Sequence, residues 1–299
     1  MPELPEVENL RQGLAKAILG QKIRRVEIRK PKLVSGKGTL RTASETKKRE
    51  FQKGIQGEQF IGVKRRAKNL VFKLSHGKII LAHLKMSGQF VYKPSASSKV
   101  VSGGHPIEFS EKELPNKHTH LIFELDRGML YYNDTRMFGY ILYFPSIKAF
   151  ESQNHFVNYG VEPLSPLFTL KYFKEKLKNK TGKIKVALMD QKIVTGLGNI
   201  YADESLFAAR IRPDREPSTL SSLEITRLRK EIIRILKRAT KVGGSSVATY
   251  RLLDETRGNY AREHKVYGKE GQPCVNCGKP LKKTIIQGRT TIFCPRCQK

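Results

Sequence analysis

Near the start of the chain, Val7, Leu10, Leu14 and Ile18 recur at spacings of three and four, which places them on one face of a helix. The pattern predicts a helix from about Pro5 to Gly20, with the glycine suited to close it. From Lys22 to about Phe144 the period shortens. Runs such as Lys22 to Ile28, Leu70 to Leu74, Lys78 to Leu84, His120 to Leu125 and Met129 to Tyr132 read as short strands of a sandwich or barrel-like layer. Residues from about Pro94 to Asn116 carry Ser, Gly, Pro and charge without periodicity, and read as an inserted loop. A stretch at 151–166, with Asn154, Asn158, Gly160, Pro163 and Pro166, reads as a hinge.

Beyond the hinge the pattern is helical. Leu170, Phe173 and Leu177 share one face, and Ile184, Leu188 and Met189 another. Ser221 and Glu224 fit a capping box opening a long helix through Leu228, Ile232, Leu236 and Ala239 to Gly243. Between Lys185 and Glu204, two helices are expected around a glycine turn, with Asn199 capping the second; free amides at such a turn suit a phosphate. Lys282 to Phe293 alternates as a hairpin with Gly288 at its turn and Arg289 at the exposed tip.

Charge changes the picture. The 299 residues include 57 Lys and Arg against 27 Asp and Glu, a net charge of +30, which implies a polyanionic partner, nucleic acid before an anionic membrane surface. No apolar run approaches the roughly 18 residues of a membrane span. The amino terminus is acidic and lacks the pattern of a signal peptide, so a cytoplasmic protein, associated with the nucleoid through DNA, is expected. All four cysteines lie near the carboxyl end: Cys274 and Cys277, then Cys294 and Cys297, form paired C-x2-C knuckles whose spacing lets four thiolates meet around one Zn2+. Protein fills every position of that set, so the metal is structural.

The candidate chemistry is at the other end of the chain. Removal of Met1 would leave Pro2 with a secondary amine, and an α-amino group titrating near 8 is roughly one-tenth neutral and nucleophilic at pH 7. Such an amine forms an iminium with a sugar carbon, and Glu3 and Glu6 are adjacent proton carriers or orienters. Acidic residues and Pro5 in a first helical turn also simply suit the helix dipole and the missing amide hydrogen.

The octet Met1-Pro2-Glu3-Leu4-Pro5-Glu6-Val7-Glu8 resembles the amino terminus of the formamidopyrimidine-DNA glycosylases, and the segments at 185–204 and 274–297 resemble that family's helix-two-turn-helix and zinc finger. The resemblance implies an α+β protein: a catalytic domain of N-terminal helix and β-sandwich at 1–150, a hinge at 151–166, a helix-two-turn-helix domain at 167–243, a lesion-capping loop region at 244–266 and a zinc-ribbon hairpin at 267–299. It implies a bifunctional glycosylase and abasic-site lyase in which a damaged purine is flipped out, Pro2 attacks C1′ and β,δ-elimination cuts the strand. Glu3 then shuttles protons, Glu6 holds the geometry and Lys68, in the basic run before a strand, neutralises the phosphate at the cut. Lys64 and Arg65 in that run read as a solvated turn.

Further roles follow from the same resemblance. Lys185, Asn199, Tyr267 and Arg289 become backbone contacts, Arg289 counting among the catalytic residues as well; His83 reads equally as a buried histidine or a phosphate contact. Met86 with Arg136 and Phe138 matches the family's void-filling positions, whereas each alone reads as core hydrophobe or surface arginine. Thr119, Met137 and Val186 depart from the usual pattern, and neither His118 nor His120 receives a role. A monomer needing no organic cofactor and acting on damaged double-stranded DNA is expected. Endonuclease VIII-like glycosylases for oxidised pyrimidines are the near alternative, against which Leu4 argues. A non-enzymatic zinc-ribbon DNA-binding protein is the alternative of another class.

Overall fold

The structure is a computed structural model, described over residues 1–38, 40–96, 113–245 and 259–299, with the backbone alone at 101–104. Most of the segments expected to be the inserted loop and the lesion-capping loop lie outside the described residues. The chain divides into two compact units, one of Met1–His155 with Gly243–Gly258, the other of Phe156–Val242 with Asn259–Lys299.

In the first unit, helix α1 (Leu4–Ile18) begins where Glu3 acts as N-cap: its side chain accepts the Glu6 amide while the Glu6 side chain accepts the Glu3 amide. Pro5 needs no donor in that first turn. The chain leaves the helix through Gly20, at φ +77, whose amide donates to the Phe60 carbonyl at 2.9 Å. Leu4, Val7, Leu10, Leu14 and Ile18 are buried, and each large apolar side chain so removed from water contributes about 1.5–3 kcal/mol.

Two antiparallel sheets follow. One has strand order β1-β7-β8-β5-β6, from β1 (Ile23–Ile28), β5 (Gly88–Pro94), β6 (Val101–Gly104), β7 (Thr119–Leu125) and β8 (Gly128–Asp134). The other runs β2-β3-β4-β9, from β2 (Phe60–Arg66), β3 (Asn69–Leu74), β4 (Ile79–His83) and β9 (Tyr140–Phe144). The sheets share one core with α1 and α2 (Glu45–Ile55). Phe72 of β3 packs edge-on against Phe90 of β5 at 5.7 Å, which joins the two layers. The basic run expected as a solvated turn is instead strand β2 up to Arg66. Arg65 is held by the Glu8 carboxylate at 3.0 Å and donates to the Ala67 carbonyl at 2.9 Å, so its charge is used locally. Only Ala67 and Lys68 form the turn, with Ala67 left-handed at φ +53. The short helix α3 (Ile147–Ser152) follows β9.

The second unit is built on α4 (Leu170–Lys178), α5 (Ile184–Met189), α6 (Asn199–Ala208) and α7 (Ser222–Lys241), followed by the hairpin of β10 (Lys282–Ile286) and β11 (Arg289–Phe293). Ser221 and Glu224 form the reciprocal capping box at the start of α7. Gln191 organises the glycine turn between α5 and α6: its Oε1 accepts the Gly196 amide at 2.8 Å and its Nε2 donates to the Leu197 carbonyl at 3.0 Å. Gly196 sits at φ +87, a conformation a Cβ would strain. Gly198, and not Asn199, is the N-cap of α6; Asn199 is the first helical residue and its side chain points to another partner.

Candidate active site and DNA-binding surfaces

Met1 is exposed, and burial among charged side chains begins at Pro2. Glu3 and Glu6 are both nearly inaccessible, and one Glu6 oxygen accepts the Glu3 amide at 2.9 Å while the other accepts the Ser245 amide at 2.7 Å. A Cβ on Gly244, at φ +82, would lie 2.6 Å from that second oxygen, so the backbone approaches Glu6 as only glycine allows. Burial lowers the terminal amine of Met1 from its ordinary 8.0; Glu3 and Glu6 oppose the shift, and Lys68 and Arg136 add to it. Two carboxylates, a turn lysine and an arginine thus act electrically on one amine. A lowered amine is neutral, and so nucleophilic, in a larger fraction at neutral pH.

Lys68 is itself buried at the β2–β3 turn. Next to that turn, Asn69 accepts the Tyr140 hydroxyl at 3.0 Å. His83, at the end of β4, is buried against Tyr140, and its Nδ1 accepts the Lys85 amide at 3.0 Å. Burial pushes the His83 ring down to about 3, with Lys85, Lys68 and Lys37 adding repulsion. The ring is therefore neutral at pH 7, and since Nδ1 accepts, its proton is on Nε2. Met86 is 40% exposed at the surface of the same unit. The Arg136 guanidinium lies 4.5 Å from the centre of the Phe138 ring.

In the second unit Lys185, expected to contact phosphate, turns its side chain toward the protein. This side chain is only 1% exposed, and its ammonium meets the Thr290 carbonyl at 2.9 Å, Thr291 Oγ1 at 2.8 Å and Asp203 Oδ1 at 2.7 Å. Two donors are hydrogen-bonded to the hairpin and the charge faces Asp203, so the ammonium is held within the protein. Asn199 Nδ2 donates to the same Thr290 carbonyl at 3.0 Å, so both residues fix the strand next to Arg289. Burial pushes the Asp203 carboxyl up, against the pull of Lys185. Glu204, also raised by burial, accepts backbone amides of Lys265, Val266 and Tyr267 at 2.9, 2.9 and 2.8 Å, which places Tyr267. Arg289 is exposed directly after the Gln287-Gly288 turn, whose residues lie at φ +45 and +70.

The ligand atoms of Cys274, Cys277, Cys294 and Cys297 lie within 4.8 Å of one another. Two of their separations, 3.8 and 3.5 Å, approach the edge of about 3.8 Å expected for a tetrahedron with zinc–sulfur bonds of about 2.3 Å. Four converging thiolates fit one structural Zn2+, which the knuckles hold between β11 and the chain before β10.

Comparison with known proteins agrees with this arrangement. The model described as the formamidopyrimidine-DNA glycosylase N-terminal domain matches residues 1–141, that of the H2TH domain residues 159–251, and that of a zinc finger found in FPG and IleRS residues 271–299. The formamidopyrimidine-DNA glycosylase of Listeria monocytogenes is 39% identical over 300 residues, covering all of both chains. The chain belongs to the formamidopyrimidine-DNA glycosylase family.

Solved members of the family superpose along the full length. A Lactococcus lactis FPG mutant crystallised with Fapy-dG containing DNA is 37% identical with a TM-score of 0.85, covering all of both chains. Lactococcus lactis Fpg with abasic-site DNA is 36% identical with a TM-score of 0.84, covering 99% of each. Within this family frame, sequence reasoning missed Asp134, Asp203, Glu204 and Gln191. All but Gln191 carry charge; Asp134, Asp203 and Glu204 have partners distant in the chain, and no local pattern announces any of the four.

Proposed function

We propose that the protein, once Met1 is removed, excises oxidised purines from double-stranded DNA and then cuts the strand, with Pro2 as nucleophile. The observation that carries this reading is the start of the chain set against the buried Glu3, Glu6 and Lys68, whose charges, with that of Arg136, act on the terminal amine. The Pro2 nitrogen bonds to C1′ as the bond from C1′ to the base breaks, and the base leaves with a proton. Glu3 supplies and recovers protons, a role worth about 10²–10⁴ in rate for a positioned group. The C1′–O4′ bond then opens, O4′ taking a proton from Glu3, and the resulting iminium at C1′ makes the C2′ hydrogen acidic; its loss expels the 3′ phosphate, and a second elimination expels the 5′ phosphate. Glu6, holding the Glu3 and Ser245 amides, keeps the chain start in place. Lys68 neutralises the phosphate at the cut, and His83 donates to the backbone through a neutral Nε2. No organic cofactor enters these steps.

An extruded nucleotide leaves a gap and an orphan base, costing a few kcal/mol unless side chains fill the space. Met86, Arg136 and Phe138 are the fillers. Arg136 has donors and no acceptor, so it favours an orphan cytosine over adenine. Arg289, steadied through the Thr290 carbonyl by Lys185 and Asn199, grips the phosphate backbone together with Tyr267, and zinc keeps that hairpin folded. The protein acts as a cytoplasmic monomer on chromosomal DNA; among the described residues no helix is long and apolar enough to cross a membrane.

Borohydride trapping tests the reading. Duplexes with one 8-oxoguanine opposite cytosine or adenine are incubated with the processed protein and reduced. The expected product is a covalent adduct whose DNA-linked peptide begins at Pro2, formed far faster opposite cytosine. Trapping through another residue would sink the mechanism. Faster trapping on oxidised pyrimidines would move the substrate to the endonuclease VIII type.

A further inference from the structure

The three residues read as void fillers stand on two separate loops, Met86 between β4 and β5, Arg136 and Phe138 between β8 and β9. The two loops are joined through Asp134, at 0% exposure the most buried carboxylate among the described residues of the first unit. Its Oδ1 accepts the hydroxyl of Ser87, the neighbour of Met86, in a short contact, and the Arg136 amide at 3.3 Å. Ser87 Oγ accepts that same amide at 3.1 Å, so one loop's hydroxyl and the other's carboxylate share a single donor. Asp134 Oδ2 accepts the Gly139 amide at 2.8 Å and the Tyr132 hydroxyl at 3.3 Å. From behind, His120 Nε2 donates to the Asp134 carbonyl at 2.8 Å.

The surrounding backbone leaves little freedom. A Cβ on Gly139 would lie 1.9 Å from the Tyr132 hydroxyl, and one on Gly88 would lie 2.7 Å from it and 2.6 Å from the Leu84 carbonyl. Lys85 and Met137, which flank Met86 and Phe138, both adopt left-handed backbone at φ +52 and +53. Non-glycine residues persist there only when neighbouring contacts over-determine them. The carboxylate and hydroxyl pair supplies those contacts on both loops at once.

We propose that Ser87 and Asp134 are positioning residues for lesion recognition, locking Met86 in register with Arg136 and Phe138 so that the three enter the duplex as one rigid unit. This rests on the void-filling assignment made above. Groups that must fill a gap in stacked DNA lose their effect when displaced slightly, and small misplacements of positioned groups cost up to about 100-fold in rate. Cleavage of a preformed abasic site has no base to extrude and is expected to depend less on that register.

The test compares Ser87→Ala, Ser87→Thr and Arg136→Ala in the full chain. Single-turnover excision of 8-oxoguanine opposite cytosine and opposite adenine is measured beside cleavage of a preformed abasic site. All rates are normalised to the fraction of protein that borohydride traps on abasic DNA, so a folding defect cancels. Ser87→Ala should lower excision opposite cytosine about tenfold more than abasic-site cleavage and narrow the preference for cytosine, and Ser87→Thr, which keeps the hydroxyl, should restore both. Equal losses on the two substrates, no loss, or failure of threonine to rescue would overturn the proposal. Arg136→Ala separates the two layers of the argument. If it narrows the cytosine preference and Ser87→Ala does not, the positioning role fails alone; if it leaves the preference intact, the void-filling assignment fails and the positioning proposal with it.

Discussion

Both units bury charged side chains, but to different ends. In the first, Glu3, Glu6 and Lys68 surround the end of the chain, and the terminal amine feels all of them. In the second, Lys185 is paired with Asp203 and hydrogen-bonded to Thr290 and Thr291, and Glu204 accepts backbone amides. A buried charge balanced within the fold is a strut, and its removal costs stability. A buried charge set beside a nucleophile tunes reactivity, and its removal costs rate. Burial alone does not distinguish them; the identity of the partners does.

The largest expected effect comes from Glu3→Gln. Glutamine keeps an oxygen to accept the Glu6 amide and so preserves the start of α1, but cannot move a proton. Excision should fall by roughly 10²–10⁴, with DNA affinity and thermal midpoint retained. An equal loss of stability would erase the contrast between the units.

Lys185→Met should do the opposite, since it leaves Asp203 buried without its cation. Breaking one side of a buried pair costs about 3–5 kcal/mol, to be read as a lower midpoint in urea denaturation. The double variant Lys185→Met with Asp203→Leu should recover part of the loss, because neither charge then remains buried. A single variant unfolding at the same urea concentration as the unmutated protein would refute the strut.

The smallest effect is a pH dependence located at His83. Its folded value of about 3 lies below the ordinary 6.5, so the unfolded chain binds the proton first as pH falls. The stability it contributes is full above about 6.5 and declines on acidification through the window down to about 3, at up to about 1.4 kcal/mol per pH unit. His83→Gln should flatten this part of the thermal midpoint profile between about pH 6.5 and 5, relative to the unmutated protein. Parallel profiles would mean that His83 titrates normally, as an exposed ring would.

What the sequence determined by itself was local or patterned. The three-and-four spacing of Val7, Leu10, Leu14 and Ile18 sufficed for α1, Ser221 and Glu224 for the start of α7, and the paired cysteine knuckles for the zinc site, because each needs only neighbours within a few residues or a recognisable spacing. The chemistry of a terminal secondary amine beside carboxylates singled out Pro2 and Glu3, whereas family likeness added Lys68 and the void-filling role expected of Met86, Arg136 and Phe138, none of which periodicity distinguishes from ordinary core or surface residues. Tertiary structure alone decided which charges face inward. Lys185 meets Thr290 across 105 positions, Arg65 meets Glu8 across 57 and Ser87 meets Asp134 across 47. A lysine before an apolar run reads the same whether its ammonium ends at a phosphate or at a buried carbonyl. The cost of desolvating that ammonium, and the acceptors that offset it, exist only once distant strands and helices have packed together.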